Sequence, residues 1–269
     1  MLIDTHAHLY LDRFDADREA MIARAKAAGV TRIVLPAIDV ASIHKAIALS
    51  EQYDGVWAMA AIHPSEVKDA TDADFDAVRE LCTHPKVIAV GESGLDYYWD
   101  RSFDAKQHNF LRRHIHLTLD TELPLIIHSR DKAKGEVVFP DLIATIDEVC
   151  NARPDGDQLR GIFHCFGGPT WVVDEAKRLG FLLGIGGTLT FKNSGVADVV
   201  AEIPMEQLVL ETDAPFLSPT PHRGKRNESA YTRLVAEKLA EVKGVSLEEV
   251  AAVTTANAER LFGLSRSAG

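Results

Sequence analysis

Short apolar runs alternate with longer amphipathic segments along most of this chain. The runs are rich in Val, Ile and Leu, which is typical of parallel strands that are covered on both faces. Eight runs are found, at residues 2–8, 31–38, 56–63, 87–92, 125–128, 161–166, 181–187 and 208–212. Helical periodicity lies between and after them, for example at 17–28, 41–53, 72–82, 103–121, 171–179, 230–242 and 247–261. This alternation predicts an α/β fold, a single (β/α)8 barrel over residues 1–265 with a short tail at 266–269.

An open, doubly wound parallel sheet is the alternative to a closed barrel. Such sheets often carry a Gly-x-Gly-x-x-Gly turn after the first strand, and no such turn follows residues 2–8. The length of 269 residues also suits one barrel, since these are typically about 250 residues long. We therefore predict the barrel.

Composition narrows the class of protein. A net charge of −11 disfavours a broad, non-specific surface for nucleic acids, although it leaves room for a local basic patch. Three scattered cysteines, Cys82, Cys150 and Cys165, argue against a disulfide framework. No apolar stretch is long enough to span a bilayer, and no secretory signal is visible. We therefore expect a cytoplasmic protein with no membrane association and no obligatory protein partner.

Residues that can bind metal stand at or near the ends of the apolar runs. His6 and His8 close the first run, and alternate side chains of an extended strand point to one face, so both imidazoles can reach one ion. The other candidates are His63, Glu92, His128, His164 and Asp213. Each alone could be a hydrogen-bonded structural group. Because all strands of a barrel end at one mouth, the set together predicts a metal site there.

The donor set is larger than one catalytic zinc uses, since such a zinc takes three protein ligands. It suits two divalent ions about 3.5–4 Å apart that share a carboxylate. We assign His6, His8 and Asp213 mainly to one ion, His128 and His164 to the other, and Glu92 to both. Asp213 would also accept the proton of the attacking water, while His63 would orient the substrate or stabilise charge on its oxygens. Zn²⁺, Mn²⁺ and Mg²⁺ are all compatible with these donors.

Six motifs occur in a fixed order, DTHAH at 4–8, IHP at 62–64, GESGLDYY at 91–98, IHSR at 127–130, HCFGG at 164–168 and ETDAP at 211–215. This series resembles the TatD family of metal-dependent deoxyribonucleases from residue 2 to about 263. The resemblance implies a barrel of the wider amidohydrolase-type superfamily, a divalent metal site and hydrolysis of DNA phosphodiesters. It places the family's metal positions on His6, His8, Glu92, His128, His164 and Asp213. A further active-site position falls on His63.

A basic loop, PHRGKRNE at 221–228, follows the last predicted strand and is also similar to the family's sequence. Loops after the last barrel strands often bind phosphate, and Arg223 could hold two phosphate oxygens at once. A solvated surface loop is the alternative. We predict His63, Arg223 and Lys225 as phosphate-binding residues.

The aromatic residues Tyr97, Tyr98 and Trp99 follow Glu92 and would either stack unpaired bases or pack at the barrel rim. The chain also departs from the family pattern in three places. Ser93 stands where the family commonly has an apolar residue or Thr, Ser229 stands where Pro is usual, and the stretch 132–160 is long. These departures leave substrate preference open, because loops above the mouth shape that choice.

Two other functions stay open. One is hydrolysis of another ester or amide, such as a lactone, a phosphotriester or an aminoacyl-tRNA ester, on the same fold. Many enzymes of that superfamily bridge their metals with a modified Lys on the fourth strand, where this chain has Glu92. The other is a non-catalytic nucleic-acid- or metal-binding protein, which would not need Asp213 as a base. From the residues and the resemblance together we predict a metal-dependent deoxyribonuclease, of the 3′–5′ exonuclease type and acting on single-stranded DNA ends.

Overall fold

The computed structural model describes residues 1–153 and 159–264, and the strands of these residues form one parallel sheet. The strands are β1 (Leu2–Asp4), β2 (Val30–Leu35), β3 (Val56–Met59), β4 (Val87–Asp96), β5 (Leu125–Arg130), β6 (Gly161–Phe163), β7 (Phe181–Ile185) and β8 (Leu208–Leu210). Each strand pairs in parallel with the next one along the chain. This order confirms the predicted (β/α)8 barrel. The predicted tail at 266–269 lies outside the described residues.

Backbone hydrogen bonds just beyond the strand ends close the barrel between β8 and β1. The N–H of Asp213 donates to the carbonyl of His6 at 2.8 Å, and the N–H of His8 donates to the carbonyl of Ala214 at 2.8 Å. The first strand was predicted to reach residue 8, but its pairing with β2 ends at Asp4. The chain beyond Asp4 instead runs beside the segment that follows β8. Closure of the barrel therefore brings residues 6 to 8 and residue 213 together.

Helices cover the outside of the sheet. Within the described residues they are α1 (Arg18–Ala27), α2 (Val40–Gln52), α3 (Asp72–Leu81), α4 (Asp104–Thr121), α5 (Val138–Asn151), α6 (Trp171–Arg178), α7 (Val196–Glu202), α8 (Thr232–Lys243) and α9 (Leu247–Phe262). The sequence pattern did not single out α5 or α7. At the start of α9, the Ser246 side chain accepts a hydrogen bond from the N–H of Glu249 at 3.1 Å, which is half of a capping box. None of the described helices combines the length and the apolar character needed to cross a bilayer.

The interior of the barrel is apolar at its N-terminal end. A buried cluster takes one residue from each of seven strands, namely Ile3, Val34, Met59, Ala89, Ile126, Ile162 and Val209. Leu261 and Phe262 of α9 join the same cluster. Because apolar side chains fill this end, the polar residues that point inward lie at the opposite end, where the strands finish.

Candidate metal centre

The Glu92 carboxylate of β4 lies between two groups of side chains that could hold metal. Its Oε2 is 3.2 Å from Nε2 of His6 and 3.7 Å from Nε2 of His8. Asp213 belongs to the same group, since its Oδ1 is 3.3 Å from Nε2 of His8 and 3.9 Å from Nε2 of His6. Nitrogen and oxygen atoms gathered this closely are the donors that a divalent transition metal takes.

The other oxygen of Glu92 faces the second group. Its Oε1 is 2.9 Å from Nδ1 of His128 and 3.5 Å from Nε2 of His63. His164 lies between the groups, with Nε2 at 3.8 Å from Glu92 Oε1 and 3.9 Å from Asp213 Oδ1. The structure thus brings all seven predicted residues of the metal site and its base to one place. One carboxylate shared by two donor groups could serve two ions.

His63 lies among the donor atoms, close enough to be a metal ligand as well as a residue that orients the substrate. Ligand atoms of His63, Glu92 and His128 all lie within 4.8 Å of one another. The Nδ1 of His63 accepts a hydrogen bond from the backbone N–H of Ser65 at 3.1 Å. A neutral ring with an accepting Nδ1 carries its proton on Nε2, which faces Glu92 Oε1 at 3.5 Å. His63 can therefore donate a hydrogen bond beside the donor groups, or bind metal through Nε2 in its other tautomer.

Polar side chains hold the outward nitrogens of two of these rings. The hydroxyl of Tyr10 lies 2.9 Å from Nδ1 of His8, and the Oδ2 of Asp96 lies 3.0 Å from Nε2 of His128. Such partners fix the orientation of a ligand imidazole and make it more basic. Sequence reasoning missed both partners. The position of Asp96 could have indicated its role. It stands four residues after Glu92 on β4, and even spacing on a strand places side chains on one face.

Glu211 plays the same part for His164. Its Oε1 is 2.9 Å from Nδ1 of His164 and accepts a hydrogen bond from the N–H of Cys165 at 2.7 Å. Gly184 of β7 makes room for this carboxylate, because a Cβ at that position would lie 2.2 Å from the Oε2 of Glu211. Sequence reasoning missed Glu211 as well, although it stands two residues before Asp213.

Burial and mutual charge set the protonation of the cluster. Burial alone would raise the pKa of Glu92, but the surrounding imidazoles, His6 foremost, hold that pKa well below its usual range. Burial opposes protonation of His128, yet hydrogen bonds to Asp96 and Glu92 raise its pKa to about 9. Burial and the nearby charge of His164 lower the pKa of His6. A lowered pKa favours the neutral form of His6, which is the form that binds metal.

A buried histidine of α4 supports the strands behind the cluster. The Nε2 of His114 accepts a hydrogen bond from the N–H of Ile62 at 3.2 Å, and its Nδ1 lies 2.8 Å from the Phe110 carbonyl and 3.0 Å from Oγ of Ser93. Burial, with a smaller contribution from Arg113, lowers the pKa of His114 to about 3. The neutral ring thus links the residue before His63 to the residue after Glu92, and it gives the departure at Ser93 a structural role.

The motifs that supply this cluster match one protein family. A family model described as TatD related DNase matches residues 3–263. The chain belongs to the TatD family. It is 43% identical over 267 residues to the uncharacterized metal-dependent hydrolase YabD of Bacillus subtilis (strain 168), covering 98% of this chain and all of that protein. It is 30% identical over 272 residues to the 3′-5′ ssDNA/RNA exonuclease TatD of Citrobacter rodentium (strain ICC168), covering 98% of both.

A solved structure agrees with the sequence relatives. The TatD homologue YjjV of Escherichia coli K12 superposes with a TM-score of 0.88 at 28% sequence identity, covering 98% of both chains. The predicted family, fold and enzyme class are confirmed, because the chain is a metal-dependent hydrolase of the TatD family.

In this TatD family member the basic residues of the predicted phosphate-binding loop differ in the contacts they make. The guanidinium of Arg223 lies 3.4 Å from the ring centroid of Phe191. Arg226 instead pairs with Asp17 at 2.7 Å. Arg223 and Lys225 are exposed and form no ion pair within residues 1–153 and 159–264. Their phosphate-binding role stays a prediction.

The aromatic cluster of this TatD family member divides into two parts. Tyr97 is buried, and its hydroxyl donates to Oδ2 of Asp141 at 2.8 Å, so this ring packs in the fold. Trp99 is 71% exposed, with Tyr98 partly exposed at a ring distance of 4.7 Å. Of the two alternatives for this cluster, packing therefore holds for Tyr97, and a free aromatic face remains at Trp99.

Proposed function

We propose that this TatD family hydrolase is a 3′–5′ exonuclease of single-stranded DNA that works with two divalent metal ions. The observation that carries the proposal is the Glu92 carboxylate, which is shared by two groups of imidazole nitrogens. Two ions held this way suit in-line hydrolysis of a phosphodiester. The relative named as a 3′-5′ ssDNA/RNA exonuclease supports the substrate and the polarity.

The residues present fit a metal. His6 is fully buried; its Nδ1 has no hydrogen-bond partner among the described residues, and its Nε2, although 3.2 Å from Glu92 Oε2, lacks hydrogen-bond geometry. A buried polar group without a partner is costly, so a neutral ring in this position calls for a bound ligand. We assign His6, His8 and Asp213 to one ion, His128 and His164 to the other, and Glu92 to both.

When bound, the ions would lower the pKa of a water molecule and neutralise charge on the phosphoryl oxygens. Asp213 is placed to take the proton from the attacking water. Its side chain is 16% exposed against 4% for Glu92, so it faces the mouth. Burial would raise the pKa of Asp213, but a hydrogen bond to His8 and the charge of His164 lower it, so the carboxylate is ionised.

Other residues of the chain would bind the phosphoryl group. The proton on Nε2 of His63 is available to a phosphoryl oxygen, and such a donor is most effective where charge accumulates in the transition state. Arg223 and Lys225 would contribute cationic contacts from the loop after β8.

Cleavage of labelled single-stranded DNA tests this function. The wild type is incubated with Mg²⁺, Mn²⁺ or Zn²⁺ on 5′-labelled and 3′-labelled oligonucleotides, beside Asp213→Asn and the exposed control Asp76→Asn. A 3′–5′ exonuclease shortens the 5′-labelled strand progressively and releases the 3′ label at once. Asp213→Asn should lose about 10²–10⁴-fold in rate. Its fold should persist, because Asp213 has a φ of 57° and Asn tolerates that left-handed conformation.

Three results of this experiment would each contradict a different part of the proposed function. Release of the first product from the 5′ end would overturn the polarity. Absence of cleavage by a metal-loaded wild type with every ion would overturn the nuclease function in favour of hydrolysis of another ester. Wild-type activity in Asp213→Asn would overturn the role of this carboxylate.

A further inference from the structure

We propose that Trp99 stacks against an unpaired base of the substrate strand while Arg130 and Lys132 bind its phosphates. Together with Tyr98 these residues form what we call the Trp99 platform. The inference rests on the proposed nuclease function, because it says where the strand lies once its end is in the metal centre. It also assigns a role to residues outside the metal cluster.

Trp99 is the most exposed large apolar side chain of the described residues, at 71%. An aromatic ring this open to water forgoes the stabilisation that burial would provide. Every base has a flat face that can stack on such a ring, so an exposed indole suits single-stranded nucleic acid of any sequence. The Tyr98 ring meets the indole edge-on, at an angle of 78°, and supports it from one side.

Two cations stand over this aromatic pair. The guanidinium of Arg130 lies 4.2 Å from the ring centroid of Tyr98 and 5.4 Å from that of Trp99, and the Nζ of Lys132 lies 5.7 Å from the Tyr98 centroid. Neither cation forms an ion pair with any residue that the structure describes. Both cations are therefore available to bind phosphate. Such contacts are needed because a chain with a net charge of −11 repels a phosphate backbone overall.

The acidic residues nearby are already occupied. Asp131 accepts hydrogen bonds from four backbone N–H groups of its own loop, at 2.8 to 2.9 Å. Asp100 pairs with Lys68 at 3.2 Å, and Asp104 pairs with Arg101 at 2.7 Å. With these carboxylates engaged elsewhere, Arg130 and Lys132 are the cations left to bind a phosphate.

The carboxylate of Asp96 contacts both the metal centre and the Trp99 platform. Asp96 ends β4, with Oδ2 at 3.0 Å from Nε2 of His128 and Oδ1 accepting from the N–H of Tyr98 at 2.8 Å. Arg130 ends β5 and stands opposite Asp96 in the sheet. Trp99 lies three residues beyond Asp96, so the chain between them spans at most about 10 Å, the length of about three stacked nucleotides along one DNA strand.

A cavity of about 410 Å³ opens beside the indole, and Trp99, Lys132 and Val137 are among the residues that line it. Ligand pockets typically measure about 300–1,000 Å³, so the space suits a nucleotide. Its wall also includes Tyr97, Arg101, Ala133 and the carboxylate of Asp131, which is held by backbone N–H groups. The Trp99 face can take a base, and Lys132 is placed to bind its phosphate.

The test compares a long substrate with a short one in the metal-loaded enzyme. We measure kcat/KM for a 12-nucleotide oligo(dT) and for bis(p-nitrophenyl) phosphate. The second substrate is too small to extend from the metal centre to the Trp99 platform. In Trp99→Ala the ratio of the two values should fall about tenfold, and Trp99→Phe should restore most of it because Phe also stacks. Trp171→Ala is the control, since this side chain is 39% exposed at the start of α6.

Salt dependence tests the cations. Each phosphate contact to a single strand contributes about 0.7 to the slope of log affinity against log salt, so Arg130→Ala with Lys132→Ala should reduce that slope by about 1.4. Binding is measured by anisotropy of labelled oligo(dT) in the Asp213→Asn background, with Lys238→Ala as the control.

An unchanged substrate ratio in Trp99→Ala, while the wild type still degrades DNA, would overturn the platform and leave the nuclease function standing. A wild type that does not degrade DNA would overturn both. A dimer in sedimentation that Trp99→Ala dissociates would assign the surface to a second copy of this chain instead.

Discussion

The carboxylate of Glu211 lies 2.9 Å from Nδ1 of His164, which leaves Nε2 of that ring facing Glu92 and Asp213. Glu211→Gln keeps the size of the side chain and removes its charge. Partners of this kind usually change metal affinity about 10–100-fold, so we expect a loss of that size. Calorimetric titration of Zn²⁺ or Mn²⁺ into the chelated protein measures it. Glu241→Gln, on the surface of α8, is the control, and equal affinity in both variants would contradict the role of Glu211.

Gly184 can be tested through the space it leaves for Glu211. In Gly184→Ala the new methyl group would lie 2.2 Å from Glu211 Oε2 and would force the carboxylate away from His164. We expect a loss of metal affinity like that of Glu211→Gln, with a destabilisation of about 1–3 kcal/mol. Gly186→Ala is a matched control, because a Cβ there would be 3.7 Å from Glu211. Titration and urea unfolding distinguish the two variants; identical behaviour would show that Gly184 has no such function.

The shared carboxylate of Glu92 predicts how metal content responds to substitution. We expect two ions per wild-type chain and loss of both in Glu92→Gln, because both donor groups include this residue. His8→Ala and His128→Ala should each lose one ion and retain the other. Elemental analysis after dialysis against limiting metal gives the counts. A single ion per wild-type chain would contradict the assignment of two groups.

His114 predicts a pH dependence of folding. Its pKa is about 3 in the folded protein against an ordinary 6.5, so below pH 6.5 the unfolded chain binds a proton that the folded chain does not. This contribution is fully present above pH 6.5 and is lost as the pH falls towards 3. Between pH 7 and pH 5 the loss amounts to about 2 kcal/mol.

Urea unfolding of the chelated protein at the two pH values measures this effect, with His114→Asn as the comparison. The variant has no titrating ring at this position, so the free energy of unfolding should change less with pH than in the wild type. Equal pH dependence in the two proteins would show that His114 is protonated as readily when folded as when unfolded.

Strand ends were the useful signal for the site, and they were also where prediction was least accurate. His63 and His164 were placed inside the predicted strands 56–63 and 161–166 but follow β3 and β6, whereas Asp213 follows β8 as predicted. Glu92 and His128 instead lie inside β4 and β5, because these two strands stay paired as far as Asp96 and Arg130. A polar residue in an apolar run looks like its end, and only pairing in the folded sheet shows that the strand continues.

The residues that sequence reasoning missed touch the proposed ligands and not the proposed ions. Tyr10, Asp96 and Glu211 each hold the outward nitrogen of a histidine, a contact that depends on the direction of the ring. No residue spacing specifies that direction across different strands. The sequence also did not indicate which aromatic side chains are exposed. Tyr97 and Trp99 are two residues apart, yet Tyr97 is 4% exposed and Trp99 is 71% exposed.

Closure of the barrel also determines when during folding the centre can exist. The Thr5 hydroxyl donates to the carbonyl of Leu210, and Asp4 accepts from the hydroxyl of Thr212, across 205 and 208 residues of chain. Contacts between such distant residues carry a large loop-closure cost and form late. A nascent chain would therefore hold His6 and His8 for most of its synthesis without Asp213. Hydrolytic competence would arrive only with the segment that follows the eighth strand, so an unfinished chain would not yet be an active hydrolase.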